Sequence, residues 1–133
     1  MPESISLEES FEQSLHYFLQ WLEVMTMEPV ELCDTWGNYN VAWELVADLN
    51  SDGSAVVTMP CSYLSEEQKQ EVRLFLDGLR NVPKALLVSA TSVEANQKAM
   101  SHPSWLPCKM TALALLQLLE SAAERNKAYF SAQ

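Results

Sequence analysis

One central stretch, WGNYNVAWELVADLNSDGSAVVTMP, constrains the fold of this chain more than any other segment. In its first half apolar and polar residues alternate, as in a β-strand whose successive side chains point to opposite faces. The run from Asn50 to Gly53 is typical of a tight turn, because Asn and Asp bond to their own backbone and Gly accepts positive φ. A returning run ends at Pro60, which has no N–H for a strand ladder. The stretch therefore predicts an antiparallel β-hairpin with strands at about 39–49 and 54–60.

The two faces of the first predicted strand differ in chemistry. The inward face holds Val41, Trp43, Leu45, Ala47 and Leu49, and the outward face carries Glu44 and Asp48. Asp48, Asn50 and Asp52 also follow the spacing of an EF-hand calcium loop, with Gly53 at the bend. The bidentate carboxylate of such a loop would fall at Met59, which cannot bind calcium. We therefore expect a hairpin turn and no metal or other cofactor.

Helical patterns surround the hairpin. They cover residues 6–26, 65–80, 83–100 and 108–127. The first and second open with capping boxes, in which Ser6 pairs with Glu9 and Ser65 with Gln68. Length indicates one domain over residues 1–133. The predicted fold class is therefore α+β, with a hairpin or small sheet packed by three to four helices.

Three parts of the C-terminal half carry more specific expectations. Residues 84–90 fit either a helix or a buried strand, and the helix is favoured. Two prolines between residues 101 and 107 predict a turn, with Trp105 filling a gap beneath it. The last helix is apolar nearly all round, which predicts a central helix covered on several sides.

The charge of the chain is strongly lopsided. Residues 1–68 hold 13 Asp and Glu and no Lys or Arg, whereas residues 69–133 hold 5 acids and 8 bases, so that −13 and +3 sum to the net charge of −10. A surface with this charge repels nucleic acid and anionic lipid. It attracts a basic protein and speeds its association. We therefore expect no nucleic-acid or membrane partner, and a basic protein partner is the favoured hypothesis.

The cysteines and the N-terminus bear on location. Cys33, Cys61 and Cys108 are odd in number and far apart, which favours reduced, buried thiols. The first ten residues, MPESISLEES, lack the basic and apolar regions of a signal peptide. No apolar run approaches the roughly 20 residues of a membrane span. The sequence therefore predicts a cytoplasmic protein.

Motifs of catalysis are missing from the sequence. It contains no phosphate-binding glycine loop, no GxSxG, no HExxH and no histidine pair with metal-ligand spacing. His102 and Cys108 are close enough in sequence for a thiol nucleophile and its base, but no third group that would orient the base is evident. We therefore expect a protein that is not an enzyme, with a small enzyme using a cryptic Cys/His site as an alternative.

Carboxylates mixed with aromatic residues mark the candidate binding surface, because aromatic side chains supply contact area and acids supply selectivity. The candidate contacts are Glu28, Glu31, Asp34, Trp36, Tyr39, Glu44, Asp48 and Asp52. Two bacterial classes share this profile of small size and acidity: immunity proteins that neutralise basic toxins, and type III secretion chaperones that hold an effector. The single predicted hairpin favours the immunity type. The oligomeric state stays open between monomer and homodimer.

Overall fold

Every secondary-structure element within the described part of the chain is helical. A computed structural model describes residues 6–29, 31, 41–87 and 92–132. Its elements are α1 (Leu7–Met25), α2 (Val41–Thr58), α3 (Glu66–Leu79), α4 (Lys84–Leu87), α5 (Val93–Met100), a 3-10 helix (Pro103–Trp105), α6 (Leu106–Leu118) and α7 (Glu120–Ser131). The predicted α+β class is therefore wrong, since these residues form a helical bundle and contain no strand.

Helix α2 replaces the predicted hairpin. The strands expected at 39–49 and 54–60 are wrong, because residues 41–58 form one helix (residues 39 and 40 lie outside the described ranges). Val41, Leu45 and Leu49 are buried at intervals of four. That spacing satisfies a helical face as well as one face of a strand, so the same apolar residues support both patterns. The helical conformation is the more stable one because its buried face packs against α1 and α3.

Gly53 is buried in the middle of α2 rather than in a turn. A Cβ atom at this position would lie 2.9 Å from Leu76 Cδ2 and 2.9 Å from Phe18 Cε1. These distances are shorter than carbon atoms tolerate. The glycine therefore allows α2 to approach α1 and α3 closely, and the predicted turn at residues 50–53 is wrong.

Four helices enclose the core. Helix α1 packs against α2 and α6, and α3 packs against the same two helices, so that α2 and α6 lie at opposite corners. Phe18 and Phe75 meet edge to face across the centre, with ring centroids 6.3 Å apart. The short helices α4 and α5 pack on α2. There the buried Asn96 accepts a hydrogen bond from the backbone N–H of Val41 (3.1 Å) and so caps the start of α2.

The predicted starts of two helices are confirmed. The hydroxyl of Ser6 accepts a hydrogen bond from the Glu9 backbone N–H (3.0 Å) at the start of α1. Ser65 and Gln68 form a complete capping box before α3, with each side chain bound to the other's backbone N–H. Both serines satisfy backbone N–H groups that have no partner inside the helix. Because this bonding involves only residues three positions apart, the sequence pattern predicts the helix start without knowledge of tertiary contacts.

The C-terminal half is divided more finely than predicted. The helix expected at 83–100 is two helices, α4 and α5, with residues 88–91 outside the described ranges. The helix expected at 108–127 is α6 followed by α7. A hydrogen bond from the Ala123 N–H to the Leu119 carbonyl (2.8 Å) carries helical bonding past their junction. Trp105 is fully buried and donates to the Ala99 carbonyl (2.8 Å), which confirms its predicted place.

Candidate functional site

Three of the predicted contact residues lie in one row along α2. We call Glu44, Asp48 and Asp52 the acidic row; each is half-buried. Residues four apart in a helix lie about 6 Å apart along its axis and point to the same side. The helix therefore gathers three carboxylates that the predicted hairpin would have divided between a strand and a turn.

The acidic row is electrostatically unfavourable by itself. Burial raises the pKa of Asp48. Burial also raises the pKa of Asp52, and the negative charge of Asp48 raises it further. The ion pairs found among the described residues, Lys69–Glu66 and Arg80–Asp77, both involve α3 and leave the row without a cation. A cation brought by another molecule would relieve this repulsion.

Trp43 is 56% exposed and precedes Glu44 in α2, about 100° from it around the helix axis. The strand prediction placed it on the inward face with Val41 and Leu45, and that placement is wrong. On a helix, a residue two positions away from each of these buried residues points to the opposite side. Sequence reasoning missed Trp43 as a surface residue because the alternating pattern was interpreted as a strand.

The other predicted contacts are not on the described part of α2. Asp34, Trp36 and Tyr39 lie outside the described residues. Glu28 and Glu31 are exposed beyond the end of α1. Glu28 lines a cavity of about 460 Å³ together with His102 and Lys109, so a cation shares its surroundings. The described structure therefore concentrates the predicted site on α2.

His102 and Cys108, the alternative catalytic pair, serve separate purposes. The Ser104 backbone N–H donates to His102 Nδ1 (3.1 Å), so His102 caps the 3-10 helix. Cys108 lines a different cavity, between α3 and α6, and its Sγ lies 3.8 Å from the Gly78 carbonyl oxygen. Burial raises the pKa of the Cys108 thiol, which lowers its thiolate content at neutral pH.

The EF-hand spacing falls inside a helix. Residues 48–54 belong to α2, where alternate side chains point in different directions and cannot surround one ion. Among the described residues, no three or more His, Cys, Asp or Glu side chains are grouped so that they could hold a metal ion.

A buried polar cluster was not predicted at all. The Glu12 carboxylate on α1 is 4% exposed and accepts hydrogen bonds at Oε1 from the Tyr63 hydroxyl (2.7 Å) and from Asn126 Nδ2 (3.0 Å). The Arg125 guanidinium lies 3.9 Å from the centre of the Tyr63 ring. The available signal was Asn126, which continues the buried spacing of Leu119 and Ala122 on the last helix. The cluster ties α7 to α1, and Asn126 also lines a cavity of about 390 Å³ between these helices.

Comparison with known proteins gives no identification. Models of protein families, curated proteins and solved structures were compared with this chain, and none matches it. In the described part of the chain, no helix combines the length and apolar character needed to cross a membrane.

Proposed function

We propose that this protein is a non-enzymatic binding protein that neutralises a basic protein partner, as an immunity protein neutralises a toxin. The acidic row is the observation that supports this best. Asp48 and Asp52 are partly desolvated and repel each other, and among the described residues no ion pair neutralises them. Such a cluster costs stability, and a cationic partner would convert that cost into binding energy.

Trp43 provides exposed apolar surface for such an interface. Tryptophan is enriched among the residues that dominate binding energies, where carboxylates around it select the partner's charge. An exposed tryptophan on the helix that carries the half-buried acids therefore suits a surface that contacts a basic protein. The net charge of −10 opposes nucleic acid and anionic membranes as partners.

Two further points belong to the proposal. Cys61 and Cys108 are free thiols, which suits a reducing compartment such as the cytoplasm. The enzyme alternative loses support because His102 and Cys108 line different cavities. The chaperone alternative was based on a class that carries a larger sheet, and the described residues contain no strand.

The test is capture of the partner from the source lysate on the immobilised full chain, followed by elution with a salt step. We expect a basic protein whose affinity falls by at least about tenfold when Glu44→Lys and Asp48→Lys are combined, since charge pairs in interfaces contribute several kcal/mol. Mass spectrometry identifies the protein, and titration at two salt concentrations measures the affinity.

The matched control is Glu120→Lys combined with Glu124→Lys. These acids are exposed on α7, also four residues apart, and their reversal changes the net charge equally. If both pairs weaken binding to the same extent, only net charge matters and the acidic row is not the site. If no basic protein is captured, the proposed function is wrong.

A further inference from the structure

The side of α6 that faces away from the core is apolar. Leu106, Met110 and Leu113 are 58%, 63% and 53% exposed and recur at intervals of four and three residues. We call these three residues the outer strip. The core side of the same helix consists of Cys108, Ala112 and Leu115, which are buried. The prediction that this helix is covered on several sides is therefore wrong for the outer strip, which the described residues leave open.

A groove with an acidic wall borders α6. It has a volume of about 260 Å³ and lies between α3 and α6. Its lining residues are Glu67, Glu71, Thr111, Ala114, Leu115 and Leu118. We call it the α3–α6 groove. Glu67 and Glu71 are exposed, and the ion pairs found among the described residues use Glu66 and Asp77 instead. The α3–α6 groove thus combines an apolar floor with two unneutralised carboxylates.

The outer strip and the two glutamates of the α3–α6 groove are spaced to suit contact with a bound α-helix. The outer strip repeats at helical intervals, and the two glutamates are one helical turn apart. An amphipathic helix binds such a surface by laying apolar residues at positions i, i+3, i+4 and i+7 against it. Lys or Arg side chains on the flank of that helix would reach Glu67 and Glu71.

We propose that the α3–α6 groove and the outer strip bind a basic amphipathic helix of the partner protein. The proposal rests on the proposed function, because it takes the partner to be basic, and it adds the site and the form of the bound segment. A second copy of this chain is the poorer occupant. It would bring another pair of glutamates and another net charge of −10 to the same interface.

The site is separate from the acidic row. Helices α2 and α6 lie at opposite corners of the bundle, so substitutions on one leave the other surface intact. The groove proposal can therefore fail while the proposed function stands.

The first test uses a synthetic peptide of about 18 residues, five helical turns, with Leu on one face and Lys on the other. Its fluorescence anisotropy is measured during titration with the full-length protein. Helix formation by the bound peptide is measured by circular dichroism, as the spectrum of the complex minus that of the protein alone. We expect binding to weaken by about tenfold or more in Met110→Ser/Leu113→Ser and in Glu67→Lys/Glu71→Lys. A peptide of the same composition with its Leu spacing broken should bind more weakly.

The controls separate site-specific binding from general attraction. Val93→Ser removes an exposed apolar side chain on α5, and Glu120→Lys/Glu124→Lys makes the same charge change as the groove reversal at exposed positions of α7. Val93→Ser should leave peptide affinity unchanged, and Glu120→Lys/Glu124→Lys should weaken it much less than Glu67→Lys/Glu71→Lys does. Equal weakening by groove and control variants, or no peptide binding, would overturn the proposal. A wild-type dimer that Met110→Ser/Leu113→Ser dissociates, seen by sedimentation, would assign the face to a second copy and also overturn it.

The captured partner provides the second test. If Glu44→Lys/Asp48→Lys abolishes capture of the partner while Glu67→Lys/Glu71→Lys and Met110→Ser/Leu113→Ser both retain it, the proposed function stands and the groove proposal is wrong. Loss of capture in Met110→Ser/Leu113→Ser, with the circular dichroism spectrum unchanged, supports the groove.

Discussion

Asn126 on α7 donates from a single amide nitrogen to two oxygens of Glu12 on α1, the backbone carbonyl (2.9 Å) and the carboxylate Oε1 (3.0 Å). The two residues are 114 positions apart in the sequence. Tyr63, from the segment between α2 and α3, donates to the same Oε1. Three distant parts of the chain therefore meet at one buried carboxylate, and its partners fix where α7 packs.

Removing this carboxylate is expected to destabilise the protein strongly. Glu12→Ala leaves the hydroxyl of Tyr63 without its acceptor, and an unpaired buried donor costs roughly 1–3 kcal/mol. The Asn126 amide loses one of two acceptors and keeps the Glu12 backbone carbonyl. We expect a loss of about 1–3 kcal/mol in the free energy of unfolding, measured by urea denaturation.

Glu12→Gln is the matched control for that loss. The glutamine keeps an Oε1 acceptor for both donors and removes the buried charge, so we expect a cost below about 1 kcal/mol. A cost as large as that of Glu12→Ala would mean that the negative charge, rather than the acceptor, stabilises the cluster.

Tyr63 predicts a loss of stability at alkaline pH. Burial and the hydrogen bond to Glu12 raise the pKa of Tyr63 well above its ordinary value of 10.0. Because the pKa of Tyr63 is higher in the folded state than in the unfolded state, neutral Tyr63 stabilises the folded protein. This contribution to the free energy of unfolding is complete below about pH 10 and declines as the pH rises further. Tyr63→Phe should remove this dependence and cost about 1–2 kcal/mol at neutral pH. Unfolding measured by circular dichroism from pH 8 upward tests this, with the exposed Tyr17→Phe as control.

Asp52 in the acidic row also has a raised pKa, but its loss of stability with rising pH is complete at neutral pH, so its substitution should stabilise the protein. Because the pKa of Asp52 is raised in the folded state, its ionised form costs stability at neutral pH. Asp52→Asn should therefore raise the melting temperature at pH 7, by a gain below about 1 kcal/mol since the group is partly solvated. The gain should disappear as the pH falls below the ordinary value of 3.8, where the aspartate is protonated in both states.

A second substitution separates the repulsion from the burial. Once Asp48→Asn has removed the neighbouring charge, Asp52→Asn should stabilise less than it does alone. Additive gains would show that Asp48 does not act on Asp52. Asp77→Asn, which breaks the exposed pair with Arg80, should give no gain.

Cys108 is expected to react slowly. Its thiol is buried and its pKa is raised, so alkylation at pH 7 should be at least about tenfold slower in the folded protein than in urea. Peptide mass spectrometry after a timed iodoacetamide pulse measures the rate. Rapid labelling of Cys108 in the folded protein would support the enzyme alternative instead.

The sequence predicted those features that depend on neighbouring residues. The caps at Ser6 and Ser65 lie within three residues of the groups they satisfy, and both are present. The cluster around Glu12 could not be predicted, because its members are separated by 51 and 114 positions. The candidate site was predicted in part: Glu44, Asp48 and Asp52 were chosen for their charge, but their common row depends on α2 being a helix.

The failure at α2 has one physical origin. Asn50, Asp52 and Gly53 disfavour a helix when judged by local propensity, and they favour a turn. The packing of the buried face of α2 outweighs that preference, as tertiary contacts commonly do. Gly53 is the most informative of the three, because its small size is required by Phe18 and Leu76 and not by its own backbone.

Gly53 and Gly78 therefore form a matched pair for the last prediction. Both lie in helices, where Ala is intrinsically better than Gly by about 1 kcal/mol. Nothing lies within 4 Å of a Cβ atom at Gly78, so Gly78→Ala should stabilise by roughly 0.5–1 kcal/mol. At Gly53 the added methyl would press on Phe18 and Leu76, and overpacking should exceed the gain in propensity, giving a net loss of about 1 kcal/mol.

Urea denaturation of both variants tests this contrast, and Leu76→Ala in the Gly53→Ala background tests its cause. Leu76 supplies two of the three closest atoms, so its truncation should cost less when residue 53 is alanine than when it is glycine. If Gly53→Ala stabilises as much as Gly78→Ala, α2 does not need a glycine for its approach to α1 and α3. The glycine would then be explained only by the turn preference of the run from Asn50 to Gly53.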